Sequence, residues 1–395
     1  MWNIDFSKEL AEKVTLLFRT AYKYPELISR RKNSEYICRI KNLLTGYREY
    51  RYRDNDSSIL IVYPHDFFTK NHFSYYYNFI SYFDKYDAFY YAEKKGSRRG
   101  VLKSLLWVIR NMPKVKGVNY QLGVMAVMSN FPIFLEQWER IDLSRYKLVV
   151  VYNELSPIGR YIVESCKERN IKTATLQHGY FCGAGVDKNE WNSIELSQSV
   201  VDYFLMWNNF TKSEAIRSGM KKEKIIVAGM PGYIGKCFEI RNTDDRSICI
   251  FLGSFDDDNS HILAICKRYA EIHGYKYYVR YHHGTNNLYR ELFDSNYAGT
   301  MNEISIQEIV GSVEFSVCVP SSVFIEVMIM GGEIYRMGSN NDTLGGTNNN
   351  VFIDEVELDI CRNNWTEIKK KISIEMLPPD DQEERYRIFF DQFDI

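Results

Sequence analysis

The chain has 395 residues, 45% of them hydrophobic and 26% charged, with 50 basic side chains against 51 acidic ones. That length is too great for one ordinary core and suits two domains of roughly 150–230 residues each. The near-neutral balance argues against a dedicated nucleic-acid binder, which carries a basic surplus. Eight cysteines without a CxxC pair argue against a zinc or disulfide framework and for the reduced, buried thiols of a cytosolic protein.

Met-Trp-Asn-Ile-Asp-Phe-Ser at the start lacks the basic and apolar regions of a secretory signal. No apolar run approaches the ~18 residues that span a bilayer, so a soluble, cytoplasmic protein is expected. Val101–Lys116 joins apolar residues, Trp107 and basic flanks. It reads either as a helix lying on the inner face of the membrane or as an ordinary buried helix. Aromatic runs such as Tyr75-Tyr76-Tyr77 and Phe89-Tyr90-Tyr91 have two readings as well, core packing or a sugar-stacking surface.

The first fifty residues have the spacing of amphipathic helices, ending in the basic, tyrosine-rich 47–54 stretch. Residues 58–63 are then a short, nearly continuous apolar run, the pattern of a strand buried on both faces of a parallel sheet. Strands are expected again at 147–152, 172–176, 203–206 and 224–227, with helices at 158–168 and 213–218, the latter closed by Gly219. This alternation is a βαβ wind. Residues 237–246 lose periodicity and gain charge, as a linker does. A second wind follows, with strands at 248–252, 277–281, 315–319 and 333–336, helices at 262–273, 306–310 and 323–330, and a last helix at 382–393 after Pro378-Pro379. Residues 340–350 are polar and Gly-rich, a loop composition.

Ligands of open α/β sheets bind beyond the carboxyl ends of the strands, and polar residues gather there. Strand 315–319 runs into Pro320-Ser321-Ser322 and a helix, where hydroxyls, free N–H groups and the helix dipole suit phosphate. Glu326, one turn on, suits ribose hydroxyls; a plain N-cap role for the serines is the other reading. Arg280-Tyr281-His282-His283 ends another strand, with Arg280 and His282 on one side, offering phosphate or base contacts or a structural pair. Gly253-Ser254 permits close approach of a ligand. In the first half, Asn153-Glu154 and Gln177-His178-Gly179 end adjacent strands, a carboxylate and an imidazole suited to proton transfer. Gly229-Met230-Pro231-Gly232 reaches the same edge. The acidic triplet Asp256-Asp257-Asp258 reads as a solvated loop rather than a metal pair.

Thr175-Leu-Gln-His-Gly179, Asp202, Trp207 and Val227-Ala-Gly-Met-Pro231, with Arg280-Tyr-His-His-Gly284 and Pro320-Ser-Ser-Val-Phe-Ile-Glu326, resemble motifs of the GT-B glycosyltransferases of bacterial capsule and lipopolysaccharide synthesis, a group related to Kdo-, sialyl- and polyol-phosphate transferases. The resemblance covers about residues 147–336. Its departures are His283 for Pro, Pro320 for Ser, Asn208 for Gly, and Val327 for Ala. It implies an α/β, GT-B fold, two Rossmann-like domains whose parallel sheets face a central cleft. Residues 1–236 would form the acceptor domain and 247–377 the nucleotide-donor domain, with 378–395 packing back.

The resemblance further implies a metal-independent, inverting sugar transfer, with no cofactor beyond a CMP- or UDP-linked donor. The acceptor would be an oligosaccharide or lipid-linked glycan of the cell surface, and no nucleic acid is involved. The donor would lie at Gly253, Ser254, Arg280, His282, Pro320, Ser321, Ser322 and Glu326. Glu154 is the expected base with His178 orienting, or the reverse, and Asn153, Gln177, Gly179, Gly229 and Pro231 would line the acceptor side. Transfer of a polyol phosphate from a CDP-linked donor, epimerisation of a nucleotide sugar, and a non-catalytic nucleotide-binding scaffold are the alternatives.

Overall fold

The computed structural model describes residues 46–64, 78–95, 131–152, 154, 157–177, 199–231, 246–253, 256–282, 289, 293–338, 351–375 and 381–393. The linker read at 237–246 (Arg246 apart), the 101–116 segment, the polar stretch at 340–350 and residues 1–45, where helices were expected, lie outside the described residues.

Two sheets carry the fold. The first holds β1 (Gly46–Arg53), β2 (Ile59–Pro64), β3 (Asp87–Lys95), β4 (Leu148–Val151), β5 (Lys172–Leu176), β6 (Tyr203–Met206) and β7 (Ile225–Val227), in the order β1-β3-β2-β4-β5-β6-β7. The second holds β8 (Ser247–Phe251), β9 (Lys276–Arg280), β10 (Tyr297–Thr300), β11 (Phe315–Cys318), β12 (Ile334–Met337) and β13 (Val351–Phe352), in the order β10-β9-β8-β11-β12-β13. Its neighbours all pair parallel. By compactness, one unit takes in the described residues up to Leu176 with Ser199–Tyr203 and 390–393, and the other takes in Gln177 and Phe204–Phe389.

Continuous apolar runs become strands buried on both faces: every residue of β4, β8 and β11 is buried. Strands β5 and β6 have the bounds read from their sequence. The tyrosine-rich 47–54 stretch, expected to end a helical region, instead forms β1, which pairs antiparallel with β3 over its whole length. Phe89, in one of the aromatic runs, is core: it meets Trp138 at 5.4 Å and Phe134 at 5.9 Å between ring centroids. Helix α1 (Phe131–Trp138) supplies both partners.

Further helices are α2 (Pro157–Lys167), α3 (Asn209–Arg217), α4 (Asp256–His273), α5 (Ile306–Val310), α6 (Val323–Ile329), α7 (Glu355–Asn363), α8 (Trp365–Glu375) and α9 (Gln382–Asp391). The acidic triplet at 256–258 is the first turn of α4 rather than a loop. Carboxylates are favoured there, beside the free N–H groups and the positive end of the helix dipole.

Buried polar hubs hold the amino ends of both sheets. Asp87, fully buried at the start of β3, accepts hydrogen bonds from Asn55 N (2.8 Å), Ser57 N (3.1 Å), Tyr52 Oη (3.0 Å) and Tyr146 Oη (2.7 Å). In the second sheet Arg362 of α7 lies 4.1 Å from the Phe315 ring centroid and donates to Tyr269 Oη at 3.1 Å and Tyr275 Oη at 2.6 Å. It also pairs with Glu314 and Glu333. Burial pushes the Glu333 carboxyl up, against the pull of Tyr335 and Arg362. Arg362→Ala therefore strands partly buried carboxylates, and a loss of about 3 kcal/mol is expected in urea unfolding; a change within about 0.5 kcal/mol would show the hub to be dispensable.

Candidate functional site

In the second sheet β8 comes first in sequence, β9 and β10 add on one side, and β11 to β13 add on the other. This is the doubly wound order 3-2-1-4-5-6, whose chain reverses direction between the first and fourth strands, here β8 and β11. In open α/β sheets ligands bind beyond the carboxyl ends of the strands at such a reversal. Gly253 follows β8 and Val319 follows β11, and they touch: a Cβ on Gly253 would sit 2.6 Å from Val319 Cγ2. No side chain fits at 253, so backbone lines this part of the edge.

Asn259 of α4, fully buried, fixes that backbone. Its Oδ1 accepts from Gly253 N at 2.7 Å, and its Nδ2 donates to Gly253 O at 3.0 Å and to Tyr289 Oη at 3.0 Å. Sequence reasoning missed Asn259; the signal available was an Asn closing the acidic triplet six residues after a strand-end glycine.

Ser321 and Ser322 stand across the same edge, both half-exposed, behind an exposed Pro320. Ser322 holds the cap position of α6 with helical dihedrals (φ −62, ψ −23) and makes no side-chain cap bond, whereas a capping side chain requires an extended backbone. Ser321 Oγ is 3.5 Å from Val323 N, the outer limit of a hydrogen bond. Capping therefore uses little of either hydroxyl. Glu326 is half-buried in the first turn of α6.

Arg280 is committed elsewhere. Its Nη1 donates to Met301 O at 3.2 Å and to Ile304 O, while Asn302 Oδ1 accepts from Tyr281 N at 2.9 Å. These bonds join the end of β9 to the segment that follows β10. His282 is half-exposed beside them. Ser254 lies outside the described residues.

In the first sheet β2, β4 and β5 run parallel, and β3 adds on the far side of β2, so the reversal falls between β2 and β4. Glu154 lies just past β4 and is fully buried. Ser199 Oγ donates to its Oε1 at 3.0 Å, and its Oε2 meets no hydrogen-bond donor among the described residues. Burial pushes the carboxyl up, opposed by its own backbone N–H, Thr175, Ser199 and the charge of Arg160. A carboxyl so placed keeps its proton above the usual carboxylate range, as proton-transfer groups do. Asn153, His178 and Gly179 lie outside the described residues.

Gln177 is fully buried and consumed internally: Oε1 accepts from Trp207 N at 2.9 Å and Nε2 lies 3.4 Å from Thr211 Oγ1. Asp202 accepts from both Thr173 N and Thr173 Oγ1 at 2.9 Å, anchoring the entry to β6 on β5. Asn208 caps α3 through Thr211 N at 2.8 Å, which explains an Asn at that position. Gly229 takes φ +99, and a Cβ there would meet Gln382 at 2.6 Å; its carbonyl accepts from Tyr386 Oη at 2.9 Å. This glycine thus serves the seating of α9, and Pro231 beside it is buried.

No protein-family model matches the sequence, and no curated protein does. Solved structures do match in shape. The chain overlays the UDP-GlcNAc 2-epimerase of Methanocaldococcus jannaschii, solved with UDP-GlcNAc and UDP, with a TM-score of 0.53 and 12% identity over 85% of this chain and 99% of that one. The chain has a GT-B-like fold. The Rickettsia bellii UDP-N-acetylglucosamine 2-epimerase gives 0.50 and 12% over 85% and 95%. The lipopolysaccharide outer core galactosyltransferase WaaB gives 0.48 and 11% over 84% and 99%. Among the described residues no helix is long and apolar enough to cross a membrane, and no cluster of three or more His, Cys, Asp and Glu suited to a metal ion is present.

The raised pKa of Glu154 has a sign that urea unfolding can check. Its contribution to stability is whole below the ordinary glutamate value of 4.5 and is lost as pH climbs through the raised one. Glu154→Gln is therefore expected to gain on the wild type as pH rises from 4.5 to 8. A difference constant over that range would mean an unperturbed carboxyl.

Proposed function

We propose that the chain is a nucleotide-sugar-dependent glycosyltransferase that builds a bacterial surface polysaccharide, a capsule or O-antigen chain, on the cytoplasmic side of the membrane. One observation carries the reading: the β8–β11 reversal with its backbone-lined edge at Gly253 and the weakly engaged hydroxyls of Ser321 and Ser322. A diphosphate needs donors and close backbone approach, and this edge supplies both. Glu326 is the ribose partner in this scheme. The GT-B-like fold supports the assignment, as do the motifs shared with surface-polysaccharide transferases.

The acceptor half-site is assigned to the carboxyl edge of the first sheet. Transfer with inversion requires a base for the acceptor hydroxyl and a polar seat for the departing phosphate. Glu154 is the proposed base, with His178 orienting the acceptor. Because burial raises the Glu154 carboxyl, kcat/KM is expected to rise with pH through a value above the ordinary carboxylate range.

Donor panels linked to UDP, CMP, CDP and GDP test the reading. Ser321→Ala with Ser322→Ala is expected to weaken nucleoside diphosphate binding at least about tenfold without lowering the melting temperature. Glu154→Gln is expected to cut turnover about a hundredfold or more at unchanged donor affinity. Product formed without any acceptor would make the protein an epimerase, the activity named for the M. jannaschii and R. bellii structures. Nucleotide binding with no turnover, indifferent to Glu154→Gln, would make it a scaffold.

A further inference from the structure

The end of β9 carries an aromatic pair that the phosphate edge does not use. Tyr281, half-buried, lies nearly parallel to Tyr289, with ring planes 9° apart and centroids 6.4 Å apart. Tyr289 is the backing ring. It is buried, its hydroxyl accepts from Asn259 Nδ2 at 3.0 Å, and its backbone takes φ +44. A tyrosine in that left-handed region is strained and persists only where its surroundings over-determine it. The same Asn259 amide holds Gly253 by both its N–H and its C=O. One buried side chain thus fixes both the phosphate-facing backbone and the ring behind Tyr281.

Tyr281 is itself held from the other side. Its N–H donates to Asn302 Oδ1 at 2.9 Å, and the preceding Arg280 is bonded to the carbonyls of Met301 and Ile304. With Leu252 N also donating to Arg280 O at 2.9 Å, the backbone under the ring is pinned both to the end of β8 and to the segment after β10. Strand β9 neighbours β8, about 4.8 Å away. Tyr281 therefore stands one strand along from the Gly253 turn, at the same carboxyl edge of the sheet.

We propose that Tyr281 is the shelf on which the nucleobase of the donor stacks, with Tyr289 as its support and Asn259 as the positioning residue that ties base and phosphate ends together. The inference rests on the reading of the β8–β11 edge as a nucleotide site and adds where the base lies. A flat, half-exposed ring backed by a second parallel ring suits a planar heterocycle, and stacking of this kind tolerates any base.

Isothermal titration of the full chain with UDP, CDP, GDP and ADP selects the nucleotide bound most tightly. For that nucleotide Tyr281→Ala is expected to weaken binding about tenfold, and Tyr281→Phe to stay within about twofold of the wild type. In Tyr281→Trp the new indole is expected to be quenched when nucleotide is added, a signal a merely damaged fold does not give. Unchanged affinity in Tyr281→Ala overturns the proposal. So does equal loss in Tyr281→Phe and Tyr281→Ala, or a Tyr281→Trp variant that binds nucleotide without quenching. A wild type that binds none of the four nucleotides fails earlier, at the nucleotide site itself, and takes the shelf with it.

Discussion

Strands β8 and β11 lie side by side although sixty-odd residues of chain separate them, and at their carboxyl ends Val319 occupies the space a side chain at 253 would need. A side chain at 253 would force Val319 to shift, and glycine removes that clash. From that contact follow the backbone-lined edge, the placing of Ser321 and Ser322 opposite it, and the need for an outside group to hold the Gly253 turn in shape. Asn259 meets that need with both ends of its amide.

The two sheets divide their labour along the strand direction. At the amino ends, buried charges are fully engaged: Asp87 by two backbone N–H groups and two tyrosines, Arg362 by two tyrosines, two carboxylates and the Phe315 ring. At the carboxyl ends Arg280, Gln177 and Asn259 are engaged internally, but among the described residues Ser322 caps nothing through its side chain and Glu154 Oε2 meets no donor. Saturated hubs lend stability, and leftover hydrogen-bonding capacity is what a ligand can use.

Much of this architecture was legible in the sequence wherever burial on both faces produced an unbroken apolar run. The bounds of β5 and β6 and the core of β4 follow from such runs. Strand β1 does not, because an antiparallel edge strand tolerates basic and tyrosine-rich sequence and its partner β3 lies about forty residues downstream. The start of α4 was hidden by three acids that read as a loop but stand in the first turn of a helix. Site roles were harder still. Arg280 resembled a phosphate ligand, yet its partners are carbonyls of residues 301 and 304, and no local pattern encodes that pairing. Likewise Gln177 resembled a ligand contact and proves to be an internal brace for Trp207 and Thr211.

The central claim is that a nucleotide's phosphates rest on the edge where β8 and β11 meet. Crystals soaked with UDP, CMP, CDP and GDP test it most directly. Diphosphate density against the hydroxyls of Ser321 and Ser322, beside the Gly253 turn that Asn259 holds, is the predicted result. Nucleotide density anywhere else on the chain, with that edge bare, would contradict the account.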